Sequence, residues 1–265
     1  MLSYEALLKE AGQRGIPTTK IRGILREYLH ILILKSLSQI PVGKQLYLSG
    51  GTYLRLVHNL RRFSENLAFY TPDLSKKDFK KTMKDIRSGL KRNAIEAQLS
   101  LDLGSKTCRA QLTLPKIEKD YRTIGNFSKK QGVVIPIEAQ QAKWPLKTET
   151  EVIAGFGELF PCVCVAKGIL FAERIAALAK NPNGRDLYDI IFMLLRHFPV
   201  EQRVLTALKL KTGAAKTIIE QTRRMPASEL KHQAQILQTF LFEEHESDLI
   251  INAHEIVPRL AETLQ

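Results

Sequence analysis

The pattern of apolar and polar positions predicts helices and strands in the first part of the chain. Apolar residues recur every three or four positions within 3–14 and 20–38, which is typical of amphipathic helices. Further helices are predicted over Thr52–Leu60 and from the capping Ser75 to Leu90. Strands are predicted over Gln45–Ser49, Leu67–Tyr70, Ala94–Leu101, Thr107–Leu114 and Val133–Ala139. The segments 115–132 and 141–160 are predicted to be loops.

Beyond Val163 the pattern becomes helical and stays so to the end. Helices are predicted over Gly168–Lys180, Arg185–Arg196, Glu201–Leu210, Ala214–Arg223, Ser228–Glu243 and Ser247–Glu262. The sequence therefore predicts an α+β fold. A mixed sheet with flanking helices occupies a domain over 1–165, and an all-helical domain follows over 166–265.

Composition narrows the class of protein. The chain has 265 residues, 44% of them hydrophobic, enough for a sizeable core. No apolar run approaches the ~20 residues that cross a bilayer, and no signal-peptide core follows Met1, so we expect a cytoplasmic protein without a membrane partner. Cys108, Cys162 and Cys164 lie in apolar, strand-like contexts and are predicted to be buried thiols.

The charge favours a polyanionic partner. The net charge is +13 and the isoelectric point is about 9.7. Any one basic pair is explained by a solvated face, but together the pairs predict a basic surface: Arg61-Arg62, Lys76-Lys77, Lys80-Lys81, Lys91-Arg92, Lys129-Lys130 and Arg223-Arg224. Aromatic residues are few and are not interleaved with these pairs, so structured RNA or a nucleotide fits better than single-stranded DNA.

The stretch Tyr47–Phe69 combines elements of a phosphate site. A short strand runs into Gly50–Thr52, a helix follows, and a basic turn leads to Ser64–Ala68. Glycines allow close approach of a phosphate, and a helix N-terminus offers backbone donors. Nucleotidyl transfer also uses magnesium held by carboxylates, which share a strand face when they are two residues apart. Asn66 and Ala68 stand where these two aspartates are expected.

The chain resembles the AbiEii/MenT family of nucleotidyltransferase toxins. The resemblance runs from about Leu46 to Leu195 through four segments: LSGGTYLRL, RRFSENLAF (close to RFSEDLDF in the family), GILFAERIAAL and NGRDLYDIIFMLL. It implies a DNA polymerase β-like nucleotidyltransferase fold in a bacterial toxin of toxin–antitoxin and phage-defence systems. It further implies transfer of nucleotides from an NTP to RNA, with the acceptor end of tRNA as the expected target, Mg²⁺ as cofactor and a cognate antitoxin as partner.

The resemblance also implies roles for individual residues. Asn66 and Ala68 fall on the catalytic, metal-binding aspartates, and Glu138 is a candidate third metal ligand. Arg174 stands where the family usually has a lysine that contacts phosphate, and Asp189 is expected to be a general base or active-site carboxylate. The nucleotide-binding positions are Gly50, Gly51, Thr52, Ser64, Arg185 and Asp186.

Simpler interpretations of these residues stay open at this point. A glycine pair is common at a strand-to-helix turn, and Ser64 could merely end the basic turn. Asp186 and Asp189 lie near the start of a helix, where acids oppose the helix dipole favourably. Glu138 could be an exposed acid on an edge strand.

The missing aspartates have two explanations. An amide brings no charge and alanine brings no ligand, so the chain as written is expected to be nearly inactive. Either the natural protein has aspartate at position 68, with or without a second one at 66, or the chain is a degenerate member that binds RNA, nucleotide or an antitoxin without catalysis. The glycine pair and the RDLYD segment favour the first explanation. Arg174 in place of lysine favours the second.

A small-molecule kinase is disfavoured, because the glycine turn lacks the Gly-Lys-Ser/Thr of a P-loop.

Overall fold

The structure is a computed structural model that describes residues 1–73, 75–121, 132–210 and 212–264, without the side chains of residues 119 and 120. The predicted Lys129-Lys130 pair lies outside the described residues. The chain divides into two compact units. The sheet unit comprises residues 1–58, 63–142 and 148–164, and the helical unit comprises residues 59–62, 143–147 and 165–265.

Seven strands of the described residues form one mixed sheet, in the order β3-β4-β5-β2-β1-β7-β6. β1 pairs with β7 and β2 pairs with β5 in parallel, whereas the pairs β1–β2, β3–β4 and β4–β5 are antiparallel. The strands are β1 (Tyr47–Ser49), β2 (Leu67–Thr71), β3 (Gln98–Leu103), β4 (Thr107–Leu114), β5 (Val133–Gln141), β6 (Thr148–Gly155) and β7 (Glu158–Val165). The predicted α+β class is thereby confirmed.

The helices of the sheet unit pack against strands in which buried apolar residues alternate with more exposed residues. Buried and more exposed positions alternate along β2, β4 and β5, so each strand turns one set of apolar side chains toward the core. The helices α2 and α4 contact these strands, and α3 contacts β1 and β2. The helices of this unit are α1 (Tyr4–Gln13), α2 (Ile21–Ser38), α3 (Gly50–His58), α4 (Lys76–Arg92) and the short α5 (Ile117–Asp120).

The prediction of a loop over 141–160 is wrong, because most of this segment forms a β-hairpin. The strands β6 and β7 are neighbours in the sheet and are joined by Phe156 and Gly157. These two residues have φ angles of 52° and 76°, as a two-residue type I′ hairpin turn requires. The predicted loop over 115–132 also contains α5.

The helical unit is built from helices that pack in pairs. α6 contacts α7, α8 and α9, while α7 contacts α10 and α12. The predicted helix over Ser228–Glu243 ends earlier than expected, and the one over Ser247–Glu262 is divided in two. The helices are α6 (Lys167–Lys180), α7 (Gly184–Leu195), α8 (Gln202–Ala207), α9 (Ala214–Arg224), α10 (Ala227–Gln238), α11 (Asp248–Ile251) and α12 (Ala253–Ala261).

Two predictions from composition can be compared with the structure. Cys108, Cys162 and Cys164 are buried free thiols, as predicted. Among the described residues, no helix is both long and apolar enough to span a bilayer.

Candidate functional site

A sharp strand-to-helix turn begins the candidate site in the sheet unit. β1 ends at Ser49 and α3 begins at Gly50, with no intervening loop. Gly50 has a φ angle of 71°, a left-handed conformation that favours glycine, and Gly51 is buried. The first N–H groups of a helix have no acceptor within it, so this turn can offer donors to an anion. The geometry fits the predicted phosphate-binding role of the glycine pair.

Two buried hydroxyls tie this turn to the segment before β2. The Thr52 hydroxyl donates to the carbonyl oxygen of Asn66 at 2.6 Å and lies 2.9 Å from the Ser64 hydroxyl. Ser64 Oγ also lies 3.3 Å from the Asn66 carbonyl, and both hydroxyl residues are buried. Thr52 and Ser64 therefore hold Asn66 at a defined position beside the turn.

A buried histidine supports the same segment from α2. The ring of His30 hydrogen-bonds to the backbone of Glu65, between Ser64 and Asn66. Burial, reinforced by the charge of Arg26, lowers the pKa of His30 to about 3, so the ring is neutral at ordinary pH. Among the described residues, its Nε2 atom has no hydrogen-bond partner.

Strand register places the predicted metal positions side by side. Ala68 on β2 lies opposite Ser49 on β1 and opposite Glu138 on β5. Directly opposed residues share a face of a sheet, with strands about 4.8 Å apart. Glu138 accepts a hydrogen bond from Arg109 Nε at 2.8 Å, and this bond raises the pKa of Arg109. The register thus brings Glu138 next to position 68, as a third carboxylate requires.

The helical unit holds a second group of predicted residues around a buried ion pair. Arg62 donates from Nε to Asp189 Oδ1 at 2.7 Å and from Nη2 to Oδ2 at 2.6 Å. Arg62 is 1% exposed and Asp189 is 0% exposed. Such a bidentate pair fixes both side chains, since the planar guanidinium matches the carboxylate.

Arg174 on α6 joins the two acids of the RDLYD segment. Its Nη1 atom lies 2.5 Å from Asp186 Oδ1, and its Nε atom lies 3.3 Å from Asp189 Oδ2. Burial by itself lowers the pKa of Arg174, but the carboxylates of Asp189 and Asp186 outweigh it and raise that pKa overall. Asn183 caps α7 by accepting from the Asp186 N–H, and its amide donates to Asp186 Oδ2 at 2.8 Å.

A cavity of about 370 Å³ opens beside this cluster, entirely within the helical unit. The Arg185 guanidinium lies over the Phe240 ring, 4.9 Å from its centroid. Gly184 N–H donates to Gln233 Oε1 at 2.9 Å, and a Cβ at Gly184 would lie 2.9 Å from Gln233 Cβ. The lining residues are Arg174, Asn183, Arg185, Asp186, Gln233, Ile236, Leu237 and Phe240.

Comparison with known protein families identifies the chain. The family described as "Nucleotidyl transferase AbiEii toxin, Type IV TA system" matches residues 32–256, which is most of the sequence. The chain belongs to this AbiEii toxin family. The predicted family resemblance is therefore confirmed, and the family implies a protein antitoxin as partner. No curated protein matches the chain by sequence.

Solved structures share the fold of this AbiEii family member at low sequence identity. MenT4, a nucleotidyltransferase toxin from Mycobacterium tuberculosis, has a TM-score of 0.60 at 16% identity, covering 99% of this chain and 94% of MenT4. JHP933 from Helicobacter pylori has a TM-score of 0.55 at 16% identity, covering 91% of this chain and 93% of JHP933. At this identity the comparison supports the nucleotidyltransferase-like fold and not a shared substrate.

The side chains of this family member do not fit a magnesium ion held by paired carboxylates. Ala68 has no oxygen ligand in its side chain, Asn66 offers an uncharged amide, and the Glu138 carboxylate is bonded to Arg109. Among the described residues, no group of three His, Cys, Asp or Glu side chains is placed to hold a metal ion. No metal-dependent step follows from the chain as it stands.

The environment of Asp189 differs from that of an accessible base. Both of its oxygens face arginine side chains, and the residue has no exposed surface. In this arrangement Asp189 positions Arg62 and Arg174. Its role as a general base stays a prediction, as do the nucleotide-binding roles of Arg185 and Asp186.

Arg62 is the residue that sequence reasoning missed. The sequence predicts a solvated face for the pair Arg61-Arg62, and this prediction is wrong for Arg62. Arg61 is exposed and pairs with Glu243 and Glu246 at 3.3 and 2.9 Å, whereas Arg62 is buried against Asp189. The sequence does contain one indication of a buried arginine. Asp189 lies on a strongly apolar helix, and a buried acid of this kind needs a cation as partner.

Proposed function

We propose that this AbiEii family member, in its active form, transfers nucleotides from an NTP to RNA, with the acceptor end of tRNA as substrate. The proposal rests mainly on one observation. Ala68 lies on β2, the first strand after the Gly50 turn, and is directly opposite Glu138 on β5. A carboxylate at position 68 would stand next to the Glu138 carboxylate, close to the helix N-terminus that is suited to phosphate.

Magnesium belongs to this proposal only when the carboxylates are present. The variant with Asn66→Asp and Ala68→Asp would offer three acids, with Glu138, around the beginning of β2. Hard oxygen ligands of this kind suit Mg²⁺, which offsets the charge of the phosphates when bound. Residues of the chain itself would then hold the nucleotide at the turn and fix the backbone of position 66 through Thr52 and Ser64.

The RNA substrate is supported by charge. A net charge of +13 favours a large polyanion over a small substrate, since each neutralised phosphate releases counterions. The partner that restrains the toxin is the antitoxin implied by the family.

The test is incubation of the Asn66→Asp, Ala68→Asp protein with total tRNA and each labelled NTP in turn. We expect label on RNA with the double variant and none with the chain as written. The matched control carries Asn66→Asp with Ala68→Asn, which has nearly the same shape but lacks the second charge. Absence of label for all four NTPs with the double variant would overturn the proposed transfer.

A non-catalytic binding protein of the same fold is the second candidate. The observation in its favour is the bond between Glu138 and Arg109, which already neutralises the acid beside position 68. This candidate predicts that the double aspartate variant binds RNA or nucleotide without turnover. Binding by equilibrium dialysis together with an absence of labelled product would favour it.

A further inference from the structure

Helix α4 carries a large share of the charge of this protein. Its 17 residues, Lys76–Arg92, include eight basic and two acidic side chains, which gives a net charge of +6. The whole chain of 265 residues has a net charge of +13. Three of the six basic pairs noted in the sequence lie on this one helix: Lys76-Lys77, Lys80-Lys81 and Lys91-Arg92.

The basic side chains of α4 form one exposed surface. They recur at three- and four-residue intervals along the helix and are all exposed, which places them on one side: Lys77, Lys80, Lys84, Arg87 and Lys91. From Lys77 to Lys91 this row is about 21 Å long at 1.5 Å per residue. The apolar side of the helix is buried in the core of the sheet unit through Phe79, Met83, Ile86 and Leu90.

These cations have little compensation within the described part of the chain, where Glu96 interacts electrostatically with Lys91. There, no ion pair involves any of the eight basic residues of α4. Arg55 and Arg62, which are buried, and the partly exposed Arg174, in contrast, each have a carboxylate partner. Like charges one turn apart also repel, as between Lys80 and Lys84. An external polyanion would relieve this repulsion.

We propose that the exposed face of α4 is a docking surface for the backbone of double-helical RNA. The proposal rests on the proposed function, in that RNA is the substrate, and it adds the surface that holds the RNA. A double helix presents closely spaced phosphates along its axis, which matches an unbroken row of cations. Proteins recognise duplex RNA mostly through shape and backbone contacts, for which lysine point charges are sufficient.

Other occupants fit this face less well. Single-stranded RNA is usually held by exposed aromatic rings, but the aromatic residue of α4, Phe79, is 0% exposed. A membrane-binding helix inserts an apolar face into the lipid boundary, whereas the apolar side of α4 is already buried. A cavity of about 450 Å³ beside the helix is lined by Arg87 and Lys91 together with the acidic Glu96, whose carboxylate is paired with Lys116 at 2.7 Å.

The test compares two charge-neutralised variants of the full chain. The first carries Lys77→Gln, Lys84→Gln and Lys91→Gln, which lie seven residues apart on the exposed row. The control carries Arg223→Gln, Arg224→Gln and Lys231→Gln, three exposed cations of α9 and α10. Affinity for a labelled RNA hairpin of about 20 base pairs is measured by fluorescence anisotropy at several KCl concentrations.

We expect the α4 variant to lose about tenfold or more in affinity at low salt. The slope of log K against log [KCl] should fall by about 3, one unit for each lost phosphate contact. The control should change the slope much less. Because all substituted side chains are exposed, both variants should unfold at the temperature of the parent. A second α4 variant with Lys80→Gln and Arg87→Gln should lower the slope by about 2.

Three results would overturn the docking proposal. One is an unchanged salt slope in both α4 variants. Another is that the protein binds a single-stranded RNA of equal length more tightly than the hairpin, and that the α4 variants lose this binding. The third is that the α4 variants bind the RNA hairpin as the parent does and lose only binding to anionic vesicles or to an acidic antitoxin. If the α4 variants lose hairpin binding while the aspartate-restored protein adds no label to RNA, the transfer function fails and the docking surface stands.

Discussion

Arg62 and Asp189 form a bidentate ion pair in which neither side chain has appreciable contact with solvent. The two residues are 127 positions apart in the sequence, and both belong to the helical unit. A buried charge without a partner is costly, so each residue depends on the other. Arg174 adds a second cation, 3.3 Å from the same carboxylate.

Asp189→Asn should therefore destabilise the protein by about 3–5 kcal/mol, because it leaves Arg62 buried without a counter-charge. Urea unfolding followed by circular dichroism would measure the change. The matched control is Arg61→Ala at the preceding arginine, whose ion pairs are more exposed and whose loss should cost less than about 1 kcal/mol. Equal losses in the two variants would contradict a structural role of the buried pair.

The pair also shows where sequence reasoning stops. The resemblance of the RDLYD segment to the family indicates Asp189 as an active-site carboxylate. Arg62 begins the RFSE run of the same resemblance, but the resemblance assigns it no role, and an arginine beside another arginine in a turn is expected to be solvated. Only the long-range packing of the helical unit distinguishes Arg62 from Arg61, and a periodic pattern holds no information about it.

The sequence predicts β5, whose alternation is clear, and misses β6, whose alternation is weak. β5 alternates buried and exposed residues along its length, and its prediction over Val133–Ala139 is confirmed. β6 lies at the sheet edge and buries little beyond Ile153, while Val152 is 63% exposed. An edge strand of this kind gives little hydrophobic signal, and the Gly-Phe-Gly turn after it was the remaining clue. The sequence predicts that a strand follows the glycine turn, but it does not predict that Ala68 on this strand pairs with Glu138.

The left-handed conformation of Gly50 leads to a prediction about the turn. Gly50→Ala should destabilise the protein by about 1–2 kcal/mol, since its φ of 71° is unfavourable for a residue with a Cβ. The control is Gly12→Ala within α1, where a Cβ would make an ordinary contact 3.9 Å from Thr18. That change should stabilise the protein by about 0.5–1 kcal/mol. Thermal unfolding distinguishes the two, and a neutral Gly50→Ala would contradict the turn geometry.

His30 should make stability depend on pH. Its pKa is lowered from about 6.5 when unfolded to about 3 when folded, chiefly by burial. Between these values the unfolded chain binds a proton that the folded chain does not, so stability falls as pH falls. The contribution should approach about 1.4 kcal/mol per pH unit below pH 6.5.

The His30→Asn variant tests this dependence. Its amide can still donate to the Glu65 backbone but does not titrate in this range. We expect a flatter plot of unfolding free energy against pH between 6.5 and 4.5 than in the parent. His232→Asn, at an exposed position of α10, serves as the control and should leave the slope unchanged. An equal slope in the parent and His30→Asn would show that other groups cause the acid sensitivity.

Restored carboxylates should make the stability of the protein respond to magnesium. In the Asn66→Asp, Ala68→Asp variant, the new acid at position 68 lies beside Glu138, so repulsion should lower the unfolding temperature without metal. Mg²⁺ at a hundredfold excess over its Kd should then stabilise the folded state by about 2.7 kcal/mol. For a chain of this size that corresponds to a rise of about 5 °C or more. The chain as written should show no such rise, because its side chains at these positions carry no charge.

A triple variant separates this local effect from general salt stabilisation. Adding Glu138→Gln to the two aspartate changes removes the repulsion and one ligand together. The unfolding temperature without metal should therefore rise, while the response to Mg²⁺ should shrink. An equal response to Mg²⁺ in the parent, double and triple proteins would mean that the ion acts elsewhere on the chain. A response in the double variant that survives Glu138→Gln would exclude Glu138 as a ligand and leave the two aspartates as the metal site.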